Sequence, residues 1–110
     1  MDKFKVAILG ATGIVGQRFI EILHDHPWFE IEYISASPES KGRRYRDVVK
    51  WVLGSEIPSN IADMVLGSGK AKDVPANVDI VFSALPSSVA LNIEIELVKK
   101  DLLLSLTLVH

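Results

Sequence analysis

From Phe4 to Leu9 the chain is apolar apart from Lys5, and the run stops at Gly10. A short continuous apolar stretch is the pattern of a β-strand buried on both faces of a parallel sheet. Between Ile14 and His24 the apolar residues Ile14, Val15, Phe19, Ile20, Ile22 and Leu23 recur at helical spacing. This predicts an amphipathic helix with Gln17, Arg18 and Glu21 on its wet side, and Pro27 stops any helix before it. Phe29 to Ala36 alternates Phe29, Ile31 and Tyr33 with Glu30 and Glu32, a strand signal. A polar, basic loop follows from Ser37 to Tyr45, carrying Pro38 and Gly42. Tyr45 to Leu53 reads as a short helix, Ser55 to Asn60 as loop and Ile61 to Leu66 as a weakly patterned strand. Val78 to Leu85 is a second buried strand, stopped by Pro86. Ser87 to Lys100 is helical, with Ser87 or Ser88 as its cap. In Asp101 to His110 the residues Leu104, Leu106 and Leu108 alternate with Ser105 and Thr107, which fits one more strand.

Strand, helix, strand, loop, strand, helix, strand is the rhythm of an α/β fold with a parallel sheet and flanking helices. The 110 residues suffice for one core, and no repeat, linker or low-complexity stretch divides them. Hydrophobic residues at 48% and charged residues at 24% are ordinary globular composition. A net charge of -2, from 12 basic and 14 acidic residues, provides no electrostatic pull toward nucleic acid or an acidic membrane. No apolar run approaches the roughly twenty residues of a membrane span. Glycines interrupt the apolar start, and no small-residue cleavage site of the usual form follows, which argues against a signal peptide. With no address visible, a cytoplasmic location is the expectation. The absence of cysteine excludes disulfides, zinc–thiolate sites and cysteine nucleophiles from these residues.

The chemistry concentrates where the first strand meets the first helix, in Gly10-Ala11-Thr12-Gly13-Ile14-Val15-Gly16. In that context Gly10 permits a sharp turn, Gly13 lets a pyrophosphate approach the backbone, and Gly16 lets the helix pack closely. Free N–H groups at the helix start then face the phosphates. An NAD site usually ends its second strand on Asp or Glu, to hold the ribose hydroxyls. Here Ser35-Ala36-Ser37 stands at that place, and Lys41, Arg43 and Arg44 follow. Hydroxyls with nearby cations suit a 2′-phosphate, so NADP is the expected cofactor. His24 and His26 lack a third metal ligand, and Trp28 and Trp51 lack the basic stripe of a nucleic-acid platform; all four read as packing or solvated residues.

The glycine turn with Gln17-Arg18-Phe19, His26-Pro27-Trp28-Phe29, the Ser40, Gly42, Tyr45 loop and Val78-Asp79-Ile80-Val81-Phe82-Ser83-Ala84-Leu85-Pro86-Ser87 together resemble the aspartate-semialdehyde dehydrogenases of the archaeal and fungal type. The resemblance runs from about Lys5 to Lys99. It implies the front part of a Rossmann-like dinucleotide-binding domain, occupying residues 1–110. It also implies a homo-oligomeric, NADP-dependent parent enzyme interconverting aspartyl phosphate and aspartate semialdehyde, toward lysine, threonine and methionine. On this resemblance Gly10, Thr12, Gly13, Ile14, Val15 and Gly16 hold the pyrophosphate, Ser37 and Ser40 face the 2′-phosphate, and Ser83 and Leu85 lie toward the nicotinamide. A malonyl-CoA reductase shares much of this front half and is the alternative, beside a stand-alone NADP-binding module. The family's cysteine thiolate, which forms a thioester for hydride reduction, and its acid/base histidine and substrate-holding basic residues lie in a later part. None of them is in this chain, so binding of cofactor without turnover is expected. After Lys100 the family pattern of Gly, an apolar strand and Ser-Asn-Ala-Ser gives way to Asp101-Leu102-Leu103-Leu104. Synonymous codons for residues 100–110, read one base earlier, spell Gly-Leu-Ile-Val-Val-Ser-Asn-Ala-Ser-Pro, so a single-base frameshift is one expected origin of the tail and a natural strand is the other.

Overall fold

The computed structural model describes residues 3–85 and 103–104. The expected helix from Ser87 to Lys100, and the tail apart from Leu103–Leu104, lie outside them. Strand β1 (Phe4–Leu9) runs at the centre of a parallel sheet, and helix α1 (Ile14–Leu23) carries the chain over to β2 (Phe29–Ser35). Strands β3 (Ile80–Ser83) and β4 (Leu103–Leu104) complete the order β2-β1-β3-β4. The expected α/β architecture is present. The chain leaves β1 toward one side for β2, then crosses back to lay β3 on the other side, which opens a crevice at the C-terminal ends of the strands.

Strand β1 is apolar throughout because both its faces are covered. Val6 and Ile8 pack with Ile20 and Leu23 of α1, while Ala7 and Leu9 pack with Ala71, Val74, Val78 and Val81. Strand β2 does not keep the simple alternation of its sequence. Val6 pairs with Ile31 and Ala7 with Tyr33, so Glu32 is an extra residue in a bulge. The bulge reverses the phase of everything after it. Phe29, Ile31 and Ile34 therefore pack against the α1-side core, whereas Tyr33 packs against the opposite one.

Helix α1 ends at Leu23, with His24 as its cap. Its buried face is Gly16, Gln17, Ile20 and Leu23. Gln17 is thus not on the wet side; it is 2% exposed, while Ile14 and Ile22 are 65% and 63% exposed. The expected helix over 45–53 shortens to α2 (Tyr45–Val48), because the Gln17 side chain accepts from Val52 N–H and donates to the Lys50 carbonyl, holding that segment extended. The expected strand over 61–66 is instead helix α3 (Ser59–Ala62), followed by single bridges from Val65 to Arg44 and from Gly67 to Ser35. The Ile61 and Ala62 N–H groups both return to the Pro58 carbonyl at 3.0 Å, closing a helical turn where a strand would pair with a neighbour. Strand β3 is shorter than the buried run 78–85, although Ala84 N–H still donates to the Leu9 carbonyl at 2.8 Å.

Candidate cofactor site

The glycine turn leaves the end of β1 in a conformation its sequence allows. Gly10 has φ +77°, and a Cβ on it would lie 2.8 Å from the Ala84 carbonyl oxygen. A Cβ on Gly16 would overlap the Gly10 carbonyl oxygen and approach Ala11 Cα to 2.7 Å, so the helix start rests directly on the turn. Gly13 differs: a Cβ there would meet only the Gly10 oxygen, at 3.9 Å. The fold itself does not demand glycine at 13, and that position borders open space.

The open space is a cleft of about 650 Å³. Gly10, Thr12 and Gly13 form its floor, Ala36, Ser37, Pro38 and Lys41 one wall, Ser68, Gly69, Lys70 and Asp73 another, and Ala84 and Leu85 the far end. The turn is tied to β2 by a bond from Ala11 N–H to the Ser35 carbonyl at 2.8 Å. The 67–73 loop is drawn in by the bond from Gly67 N–H to the Ile34 carbonyl at 2.9 Å and by the Tyr33 hydroxyl donating to the Ser68 carbonyl at 2.6 Å. Burial raises the Tyr33 phenol pKa, and the nearby Asp73 carboxylate adds to the rise.

Of the residues singled out in the sequence, Gly10, Thr12, Gly13, Ser37 and Leu85 line this cleft. Ser40 is buried behind Ser37, their hydroxyls 3.0 Å apart. Ser83 is enclosed within β3, Gly16 is buried under the turn, Val15 is half-buried and Ile14 faces outward. Their N–H groups, from Ile14 to Gly16, belong to the first turn of α1 and have no acceptor within the helix. Of the three expected cations, only Lys41 borders the cleft. The Arg43 guanidinium donates to the Asp47 carbonyl and Arg44 approaches Asp63, and neither lines the cleft. The cation that sequence reasoning missed is Lys70. Its signal was the turn-like Gly67-Ser68-Gly69-Lys70, which has no regular periodicity and enters the site only through its pairing with β2.

These donors suit a phosphorylated dinucleotide. Strand β2 ends on Ser35 and not on an acid, and Ser35 Oγ is, among the described residues, a buried side-chain atom without a hydrogen-bond partner. It lies 3.8 Å from a Cβ placed on Gly69, just behind the cleft wall. Lys41 and Lys70 face the same cavity from separate loops, with Asp73 the one carboxylate among the described lining residues. Glu39 stands close by, its carboxyl held below the ordinary range by its own backbone N–H and by the Ser37 hydroxyl.

A glycine turn on the central strand, opening onto the crevice where the strand order reverses, defines a Rossmann-type α/β unit. Residues 5–105 match the semialdehyde dehydrogenase NAD-binding domain, and the chain belongs to that family. It is 42% identical over 92 residues to the aspartate-semialdehyde dehydrogenase of Archaeoglobus fulgidus, covering 84% of this chain and 26% of that protein. With the aspartate-semialdehyde dehydrogenase of Methanothermobacter thermautotrophicus it shares 43% identity over 100 residues, 91% of this chain and 28% of that one. The crystal structure of aspartate semialdehyde dehydrogenase with NADP from Candida albicans superposes with a TM-score of 0.88 at 39% identity, covering 94% of this chain and 29% of that chain. The chain thus spans about a quarter of the length of the relatives it matches. Among the described residues no helix is long and apolar enough to cross a membrane.

Proposed function

We propose that the cleft binds NADP and that the chain is the cofactor-binding part of an aspartate-semialdehyde dehydrogenase. The observation that carries the choice of cofactor is the pair Lys41 and Lys70 beside a β2 that ends on Ser35. A 2′-phosphate gains from both cations, whereas a free ribose hydroxyl finds no carboxylate at the strand end. On this reading Gly10, Thr12 and Gly13, with the N–H groups of Ile14, Val15 and Gly16, hold the pyrophosphate. Ser37, braced by Ser40, holds the 2′-phosphate with Lys41 and Lys70. Ser83 and Leu85 shape the path toward the nicotinamide. Bound there, NADP supplies the hydride chemistry, and the residues described here bind and orient it.

The solved relative named with NADP and the matched aspartate-semialdehyde dehydrogenases support the aspartyl reading over the malonyl one. The family reaction needs a thiolate, and these 110 residues contain no cysteine. Turnover therefore belongs to a longer protein, which we take to be a cytoplasmic homo-oligomer serving lysine, threonine and methionine synthesis.

Calorimetric titration of the chain with NADP and, separately, with NAD tests this reading. NADP is expected to bind at least about tenfold more tightly, as one charge-assisted phosphate contact warrants. Equal affinities, or a preference for NAD, would overturn the assignment of the 2′-phosphate wall.

A further inference from the structure

Two buried side chains on the α1 side of the sheet, Gln17 and Tyr45, carry polar atoms that packing alone does not require. Tyr45 has no exposed surface, yet its hydroxyl donates to the Ala11 carbonyl at 2.7 Å. Gln17 sits on the buried face of α1, and its Nε2 donates to the Thr12 carbonyl at 3.0 Å and to the Lys50 carbonyl at 2.9 Å. Polar groups are costly to bury, and phenylalanine or leucine would fill either place without that cost. What both do is hold carbonyls of the glycine turn. The turn's other two carbonyls are also taken, that of Gly10 by Gly13 N–H at 3.4 Å and that of Gly13 by Gln17 N–H at 2.9 Å.

In a trans peptide the C=O and the following N–H point in opposite directions. Drawing the Ala11 carbonyl toward Tyr45 therefore aims Thr12 N–H away from the core, and drawing the Thr12 carbonyl toward Gln17 turns Gly13 N–H back into the turn, where the Gly10 carbonyl accepts it. Thr12 and Gly13 both border the cleft. With its four carbonyls all claimed, and the Ala11 and Gly13 N–H groups spent on the Ser35 and Gly10 carbonyls, the turn presents an anion with Thr12 N–H and the N–H groups of the first turn of α1.

We propose that Gln17 and Tyr45 are positioning residues for the pyrophosphate: by holding the Ala11 and Thr12 carbonyls inside the protein they keep the glycine turn set to receive phosphate oxygens. The inference rests on the reading of the cleft as an NADP site. It is specific to the middle of the cofactor, because neither side chain is among the residues, Ser37, Lys41 and Lys70 included, that line the cleft.

The test compares two ligands, NADP and adenosine 2′-monophosphate, which keeps the 2′-phosphate and lacks the pyrophosphate. Their affinities are measured by calorimetry for the full chain and for Tyr45→Phe and Gln17→Met, with a thermal melt of each. Both variants are expected to weaken NADP about tenfold while the nucleotide monophosphate stays within about twofold. Parallel loss of both ligands with a lowered melting temperature would reduce the two side chains to a structural role and overturn the proposal; so would unchanged NADP affinity. Tyr45→Phe keeps the ring and leaves a single carbonyl at the turn unpaired, so it reports even where Gln17→Met, which also strips Val52 N–H of its acceptor, fails to fold. If the unaltered chain binds neither ligand, the NADP reading itself falls and takes the inference with it. Tight binding that survives both substitutions removes the inference alone.

Discussion

Gly13 and Gly16 sit one helical turn apart and are glycine for different reasons. A side chain at 16 would collide with backbone, which has no freedom to give way, whereas one at 13 would enter the cleft. Gly16→Ala is expected to destabilise the chain by about 3 kcal/mol or more in urea denaturation, at the upper end of overpacking costs. Gly13→Ala should cost under about 1 kcal/mol of stability yet weaken NADP at least about tenfold by calorimetry. Equal stability losses at the two sites would refute this division. Tyr45 offers a second handle. Burial pushes its phenol pKa up, well above the ordinary value near 10 that it has when unfolded. The folded state therefore keeps a proton that the unfolded chain gives up, and this contribution is whole below about pH 10 and declines above it. Melting temperatures followed into that alkaline range should fall less steeply for Tyr45→Phe than for the unaltered chain.

Two segments that show no regular pattern in the sequence carry the lysines to which we assign the 2′-phosphate. The 37–41 segment contributes Lys41, and the 67–73 loop, drawn to β2 at Gly67, contributes Lys70. Lys70→Ala should weaken NADP about tenfold and leave NAD unchanged. Added salt should erode the difference, since both lysines stay exposed to water. A uniform loss for NADP and NAD would place Lys70 away from the 2′-phosphate. The same elements show where periodicity misleads. Ile14 and Ile22 invite reading the apolar face of α1 one stripe too far round, because their exposure depends on what packs there and not on their own polarity. In β2 the extra Glu32 exchanges the two faces, and it has no signature beyond one more residue in an alternating run.

At the scale of the whole molecule, the exposed apolar side chains stand out. Phe4 and Trp28 are 57% and 63% exposed, and Phe4, His26, Trp28 and Phe29 form one aromatic group at the N-terminal end of β1 and β2. With Ile14, Ile22, Val52 and Val65 also exposed, the chain is expected to self-associate at high micromolar concentration in sedimentation velocity. A single monodisperse species throughout would contradict that. Joined to the remaining segment of the Archaeoglobus fulgidus relative, it should support oxidation of aspartate semialdehyde that depends on NADP and phosphate. A chimera that folds and binds NADP without that activity would count against the proposed role.

Local sequence was enough for the parallel strands at 4–9 and 29–35, the helix between them and the glycine turn. Each depends on neighbours a few residues apart: an unbroken apolar run, a helical repeat, glycines where a side chain would strike backbone. The same locality made the missing carboxylate after β2 legible, and with it the ground for proposing a 2′-phosphate there. Only the tertiary structure could bring Lys70 to the cleft, turn Arg43 and Arg44 away from it, and bury Gln17 and Tyr45 behind the turn. The burial of Gln17 and Tyr45 and the arrival of Lys70 depend on contacts between residues more than thirty positions apart, such as Gln17 with Lys50, Tyr45 with Ala11 and Gly67 with Ile34. Such pairs leave no periodic trace in the sequence, because each is decided by which surfaces the sheet and helix bring together once both have formed.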